Sequence, residues 1–282
     1  MTLTTRAQHF VSPAELSDLI SSSPRLIVLD VRNENGVPDG HPEYQAGHVP
    51  GAVYVDLPTQ LVGARTANSG AGPLPTISEL QGHARSWGID NGDTVVVYDN
   101  VFGTKAGRAW FVLRWAGVKD VRLLDGGYAA WVAGGYPISS EEPVPEPGDV
   151  DLSPGNLPVL GTDDVEQFAK SGPLLDARGH EQYAGSPPTP GGRSGHIPGA
   201  LDAPTRENLG DDGFLLSDGE LRERFAALGA DGSRPIGLYC GSGVAAAHEM
   251  AVLASLGLHA ALYVGSFSAW SSDPARPVET GA

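Results

Sequence analysis

Cysteine is nearly absent from this chain, with one residue, Cys240, in 282. A single cysteine excludes an intrachain disulfide and any cysteine-rich metal site. Basic residues are also scarce, 18 against 34 acidic, for a formal net charge of −16. Such a chain does not suit nucleic acid or an anionic membrane surface as partner, although a local positive site can still hold a small anion. No apolar run reaches about 18 residues, so no transmembrane helix is expected. The stretch from Met1 to Phe10 is polar and lacks the apolar centre of a signal peptide. A cytoplasmic location is therefore expected, where a free thiol survives best. Apolar residues make up 40% and charged residues 18%, the composition of a soluble globular protein. The length suffices for two ordinary domains.

The lone cysteine opens the run Cys240-Gly241-Ser242-Gly243-Val244-Ala245-Ala246-Ala247. Before it, Pro235 to Tyr239 is short and apolar, the pattern of a buried strand. After it, Ala245 to Ala254 contains no Gly or Pro and reads as a helix. The thiol thus sits where a strand gives way to a helix. Amides at a helix start point toward an anion, which favours a thiolate there and makes it a better nucleophile. A lone cysteine can also be a small buried apolar residue. The flanking glycines speak for a special backbone path instead.

Read in order, the chain repeats itself. Ser12-Pro13-Ala14-Glu15 predicts a capped helix running to about Ser22. Leu26 to Asp30 predicts a strand, residues 62 to 76 a long loop, Ile77 to Trp87 a helix with Leu80 and Ala84 inward, Thr94 to Tyr98 a buried strand, and Gly107 to Trp115 a helix. Leu174 to Arg178 then repeats Val28 to Arg32, and Gly195-His196-Ile197-Pro198-Gly199-Ala200 repeats Gly47-His48-Val49-Pro50-Gly51-Ala52. Ile236 to Tyr239 repeats Val95 to Tyr98, and Ala261 to Trp270 repeats Leu123 to Trp131. The offsets are 146, 148, 141 and 139 residues, so the unit is a whole domain. The expected division is an N-terminal domain over 1–139, an extended Pro- and acid-rich linker over 140–155, and a C-terminal domain over 156–282. Each copy alternates strands and helices, an α/β fold with a mainly parallel sheet flanked by helices. Where the second copy has Cys240, the first has Asp99, so one copy is expected to be catalytic and the other not.

Together these motifs resemble the two-domain rhodanese and 3-mercaptopyruvate sulfurtransferase family: Asp-x-Arg, Gly-His-(Val/Ile)-Pro-Gly-Ala, Asp-Gly-Gly with a following Trp, and Cys-Gly-Ser-Gly-Val-x-Ala. The resemblance spans about Ser12 to Trp270. It implies tandem rhodanese-like domains and a sulfurtransferase. In that chemistry Cys240 takes sulfane sulfur from a small donor, carries it as a persulfide, and passes it to cyanide or a thiol. Thioredoxin-like or sulfur-carrier proteins are further acceptors of the implied kind. Backbone N–H groups of Gly241, Gly243, Val244 and Ala245 would surround the outer sulfur. No metal, nucleotide or flavin is needed.

Gly241-Ser242-Gly243 resembles the loop of members that prefer 3-mercaptopyruvate over thiosulfate, in which the serine takes part in proton transfer. Ser242 stands at that position, and its plainer role is to cap the helix. Two arginines hold the donor carboxylate in such members. Their matches here are Gln182, which lacks the charge and the fork, and a shifted Arg193. Arg178 borders the expected site. Ala245 replaces the usual threonine, and Gly72 a usual histidine. His48 and His196 recur in both copies, which points to a fold role, as it does for Arg32 and Arg178. His248 reads as a helix-surface residue, and Trp131 and Trp270 as packing residues.

Two other readings compete. A thiol phosphatase needs an arginine six residues beyond its cysteine, where this chain has Ala246. A non-catalytic tandem module could bind partners or sense oxidants through Cys240.

Overall fold

In a computed structural model the described residues are 5–33, 39–186 and 193–281. The start of the polar stretch Met1 to Phe10 lies outside them. The strands are β1 (Phe10–Val11), β2 (Leu26–Asp30), β3 (Val53–Tyr54), β4 (Thr94–Tyr98), β5 (Asp120–Leu124), β6 (Leu174–Asp176), β7 (Leu201–Asp202), β8 (Ile236–Tyr239) and β9 (Ala260–Leu262). The helices are α1 (Pro13–Ser22), α2 (His41–Ala46), α3 (Leu57–Gln60), α4 (Ile77–Ser86), α5 (Thr104–Trp115), α6 (Gly127–Ala133), α7 (Thr162–Ser171), α8 (His180–Ala184), α9 (Asp218–Ala227), α10 (Ala245–Ser255) and α11 (Ser266–Ser272).

The elements form two sheets. The first has strand order β1-β5-β4-β2-β3 and the second β7-β6-β8-β9. All paired strands are parallel. The central strands β4 and β8 are buried on both faces apart from Thr94, which explains their unbroken apolar runs. Three helices open on a capping box, Ser12 with Glu15, Thr76 with Glu79, and Ser217 with Glu220. Each such cap is worth about 1 kcal/mol. Helix α5 begins at Thr104, a turn before the expected Gly107. The reason is Asp99, whose carboxylate accepts from the amides of Lys105 and Ala106 and so caps the helix from a distance.

Residues 140–155 contain no helix or strand. They are fastened to the first copy, with Gly148 N–H on the Arg85 carbonyl (2.8 Å) and Leu152 N–H on Gln81 Oε1 (2.9 Å). Val150 and Leu152 are buried and join the core.

The copies meet through α5 and α10, and one buried apolar cluster runs through both. Helix α10 is buried on every side from Ala246 to Leu253. His248 is therefore not a surface residue. It lies 2% exposed against Gly103, the residue before α5, and Gly107 within it, where a Cβ on Gly107 would come within 2.7 Å of its backbone. A helix with no exposed face gave no polar stripe by which its partner could be recognised.

Candidate active site

Cys240 follows directly on β8 and is 2% exposed. The chain turns through Gly243 at φ +74° and enters α10 at Ala245. The Gly243 amide donates to Cys240 Sγ at 3.1 Å. A second anchor comes from α11, where Ser266 Oγ accepts from the Cys240 amide at 3.2 Å and lies 4.0 Å from Sγ. Ser266 is fully buried at φ +53°. In the first copy the matching residue is Gly127 at φ +59°. A serine in this left-handed region costs about 1–2 kcal/mol, a strain met here where a hydroxyl reaches the cysteine.

The first copy shows what such a loop can hold. Asp99 Oδ1 accepts from the amides of Val101 (2.9 Å) and Gly103 (2.8 Å), and Oδ2 from those of Lys105 (2.8 Å) and Ala106 (2.9 Å). Burial pushes this carboxyl up from its usual value, and the four amides oppose that shift. Both oxygens accept from N–H donors, which is the pattern of a carboxylate. The loop is thus an anion cradle filled by its own side chain. At the spacing that matches Asp99 with Cys240, the corresponding amides belong to Ser242, Val244, Ala246 and Ala247. Of these, Ala247 already donates to the Val244 carbonyl.

Each copy closes over the other. The segment around Gly70 to Pro73 lies on the Cys240 loop, with Ala71 N–H on Ser268 Oγ at 2.8 Å. A Cβ at Gly72 would come within 2.3 Å of the Ser242 carbonyl oxygen. In return, Leu215 N–H donates to Asp125 Oδ1 at 2.9 Å, and Phe214 packs against Gly126. From α5, the fully buried Arg108 donates to the carbonyls of Leu61, Gly72, Pro73 and Gly243.

Arg178 holds both oxygens of Asp176 and the Gly195 carbonyl, and its guanidinium lies 4.3 Å from the Phe267 ring centre. Burial opposes its charge, yet Asp176 raises its pKa above the ordinary value. Its Cδ would be 4.0 Å from a Cβ at Gly241, so it borders the loop. Arg32 makes the same bonds to Asp30 and Gly47 in the first copy. His48 and His196 each face a tyrosine carbonyl, Tyr44 at 2.8 Å and Tyr183 at 2.9 Å, and stack on that ring. These are turn-fastening roles.

The other expected site residues are spread more widely. Val244 is the residue before α10, and no side chain caps that helix. The capping role for Ser242 is therefore absent. Ser242, Val244 and Ala245 are partly exposed. Gln182 is exposed on α8. Arg193 donates to the Asp273 carbonyl at 3.0 Å, beyond the far end of α11. Neither is hydrogen-bonded to the Cys240 loop.

Two residues at this site escape a reading of the sequence alone, Ser266 and Arg108. Ser266 had a signal, since it replaces the second glycine of Asp125-Gly126-Gly127. Arg108 had a weaker one, a lone charge in the apolar run from Ala106 to Leu113.

A buried cysteine whose sulfur accepts a loop amide, on one of two interlocked α/β copies, is the arrangement to be matched with known proteins. The rhodanese-like domain family matches residues 12–134 and 162–273. The chain belongs to this family, whose members here are sulfurtransferases. It is 41% identical over 282 residues to a Mycobacterium tuberculosis protein named for thiosulfate sulfurtransferase activity, SseB, covering 98% of each chain. It is 40% identical over 269 residues to a Pseudomonas aeruginosa protein named for 3-mercaptopyruvate sulfurtransferase activity, covering 92% and 94%. Among solved structures it superposes on SseA of Escherichia coli, a 3-mercaptopyruvate sulfurtransferase, with a TM-score of 0.81, 29% identity, and 92% and 98% coverage.

Proposed function

We propose that this chain moves sulfane sulfur from thiosulfate or 3-mercaptopyruvate to a thiophilic acceptor through a persulfide on Cys240. The observation that carries this reading is the pair of loops. The first copy's cradle gathers four amides on a carboxylate, and the second offers a thiol with Gly243 N–H already on its sulfur.

The chemistry balances without a cofactor. The Cys240 thiolate attacks the outer sulfur of thiosulfate, the donor S–S bond breaks, and sulfite leaves with the bonding pair. With 3-mercaptopyruvate the C–S bond breaks instead. Its electrons form the enolate of pyruvate, and the donor's thiol proton ends on that carbon. Cyanide then attacks the outer sulfur, leaves as thiocyanate, and restores the thiolate.

In this reading Cys240 is the nucleophile, and the amides around Gly241, Ser242, Gly243, Val244 and Ala245 hold the outer sulfur. The Ser242 hydroxyl serves proton transfer. Arg178 fixes the rim, and Gln182 and Arg193, which do not bond the Cys240 loop, are the side chains assigned to the donor on the family pattern. Residues 1–139 form the non-catalytic domain, 140–155 the linker and 156–282 the catalytic domain. Small sulfur compounds are its partners, and the cytoplasm suits its free thiol. Among the described residues no helix is long and apolar enough to cross a membrane.

Mass measurement tests the reading. Incubation with either donor should add one sulfur to the wild-type protein and none to Cys240→Ser. No gain with either donor would leave the oxidant-sensing module as the better account.

A further inference from the structure

Arg108 buries a charge without a counter-charge. It is 0% exposed. Its guanidinium donates to Leu61 O (3.2 Å), Gly72 O (2.9 Å), Pro73 O (2.9 Å) and Gly243 O (3.3 Å). Among the described residues no carboxylate pairs with it. Carbonyl dipoles satisfy the N–H groups but do not neutralise the ion. An unpaired ion in a protein interior costs several kcal/mol. Burial pulls this guanidinium down to about 10, and Cys240 is the group that pulls the other way.

The architecture does not demand a base at this place. The position that matches Arg108 at the Asp99-to-Cys240 spacing is Glu249, also fully buried and bonded to Asn208 at 2.6 Å. The copy that faces the Asp99 cradle thus carries no arginine at the matching position. The cradle whose anion comes and goes meets a base.

We infer that Arg108, supplied by the copy without the cysteine, is the counter-charge and positioning residue for the sulfur anion at Cys240. It supports first the thiolate and then the persulfide, and it ties the Gly243 carbonyl to the Gly72–Pro73 segment. The inference rests on the persulfide reading for the second of these anions. The other groups facing Cys240 do not supply free charge. Arg178 is committed to Asp176, with which Tyr239 is also coupled. Ser266 from α11 is neutral, and the 70–73 segment offers no titratable side chain.

The test compares Arg108→Gln with Arg108→Lys. Alkylation of Cys240 by iodoacetamide is followed across pH, beside turnover with thiosulfate and cyanide. Loss of a nearby opposite charge should move the alkylation midpoint of Arg108→Gln up by about one pH unit, which is about tenfold slower alkylation below the midpoint. Arg108→Lys keeps the charge and loses the fork, so its midpoint should stay while turnover falls about tenfold. A folded Gln variant with the wild-type midpoint overturns the inference, as does a Lys variant shifted as far as Gln. Should Gln not fold, the wild-type protein decides through arginine side-chain nitrogen NMR. The guanidinium signal lost in Arg108→Lys should titrate with the alkylation midpoint, and stay flat in Cys240→Ser. A signal indifferent to Cys240 overturns the inference. Alkylation does not require sulfur transfer, so failure of the persulfide reading would show separately, in the mass measurement.

Discussion

Gly72→Ala tests whether the first copy sets the geometry of the second copy's loop. An added Cβ would lie 2.3 Å from the Ser242 carbonyl oxygen, about 1 Å inside ordinary contact. Both sides of this clash are backbone, so no side chain can swing away. The Gly72 carbonyl is also held by Arg108 at 2.9 Å, which stops the 70–73 segment from lifting freely. The strain must pass into Ser242 and the amides beside it. Overpacking of this kind costs about 1–3 kcal/mol of stability. A displacement near 1 Å at reacting groups can cost about 100-fold in rate. We expect kcat/KM for thiosulfate-to-cyanide transfer to fall between about 10- and 100-fold, a loss of about 1.4–2.8 kcal/mol in transition-state binding. Gly82→Ala is the control. Gly82 is exposed on α4 with open space around its Cβ position, so alanine there should stabilise by about 0.5–1 kcal/mol and leave kcat/KM untouched. Steady-state rates and thermal melts of both variants decide the matter. A Gly72→Ala enzyme with wild-type kcat/KM and an unchanged melt would refute the reasoning.

Two further outcomes concern the buried histidines and the exposed face of α8. Burial holds His248 at about 4, and burial with Arg114 nearby holds His9 at about 4. The unfolded chain binds these protons near pH 6.5 and the folded chain does not, so their stabilisation is complete above pH 6.5 and lost as pH falls to about 4. Each is worth about 3 kcal/mol. Acid melts should show this slope, and His248→Gln should flatten it; an unchanged slope in that variant would exclude His248 as a source. Gln182→Arg would add a carboxylate fork on α8, and the KM for 3-mercaptopyruvate should drop about tenfold if the donor docks there. An unchanged KM would move the donor to another wall of the cleft.

The parts of this fold that read clearly in the sequence are those fixed by short range. Ser12 and Glu15 announced α1, the apolar run Val95 to Tyr98 announced a central strand, and the doubled Gly-His-x-Pro-Gly announced the repeat. The histidines in that motif bond a tyrosine carbonyl in each copy, as expected of residues that recur with and without the cysteine. The start of α5 was missed by a turn because its cap is a side chain on the preceding strand. His248 and Arg108 were missed for a different reason. Both lie where α5 meets α10, and nothing local in either helix encodes which face the other will cover. Ser266 could have been found by comparing the copies position by position, since a serine in place of a left-handed glycine needs a reason.

The interlock explains why a copy that lacks the cysteine is kept. Cys240 sits in the second copy, but two of the groups around its loop come from the first, the 70–73 segment and Arg108. Neither can be supplied by the second copy to itself, because its own corresponding segment is turned outward to cover Asp125 and Gly126. A lone second copy would therefore present the cysteine loop to water, and water would screen the charge that a buried guanidinium exerts at close range. The first copy contributes by being filled. With Asp99 satisfying its cradle from within, that loop needs no ligand to stay folded, and it stiffens the start of α5, the helix that carries Arg108 to the Gly243 carbonyl of the cysteine loop.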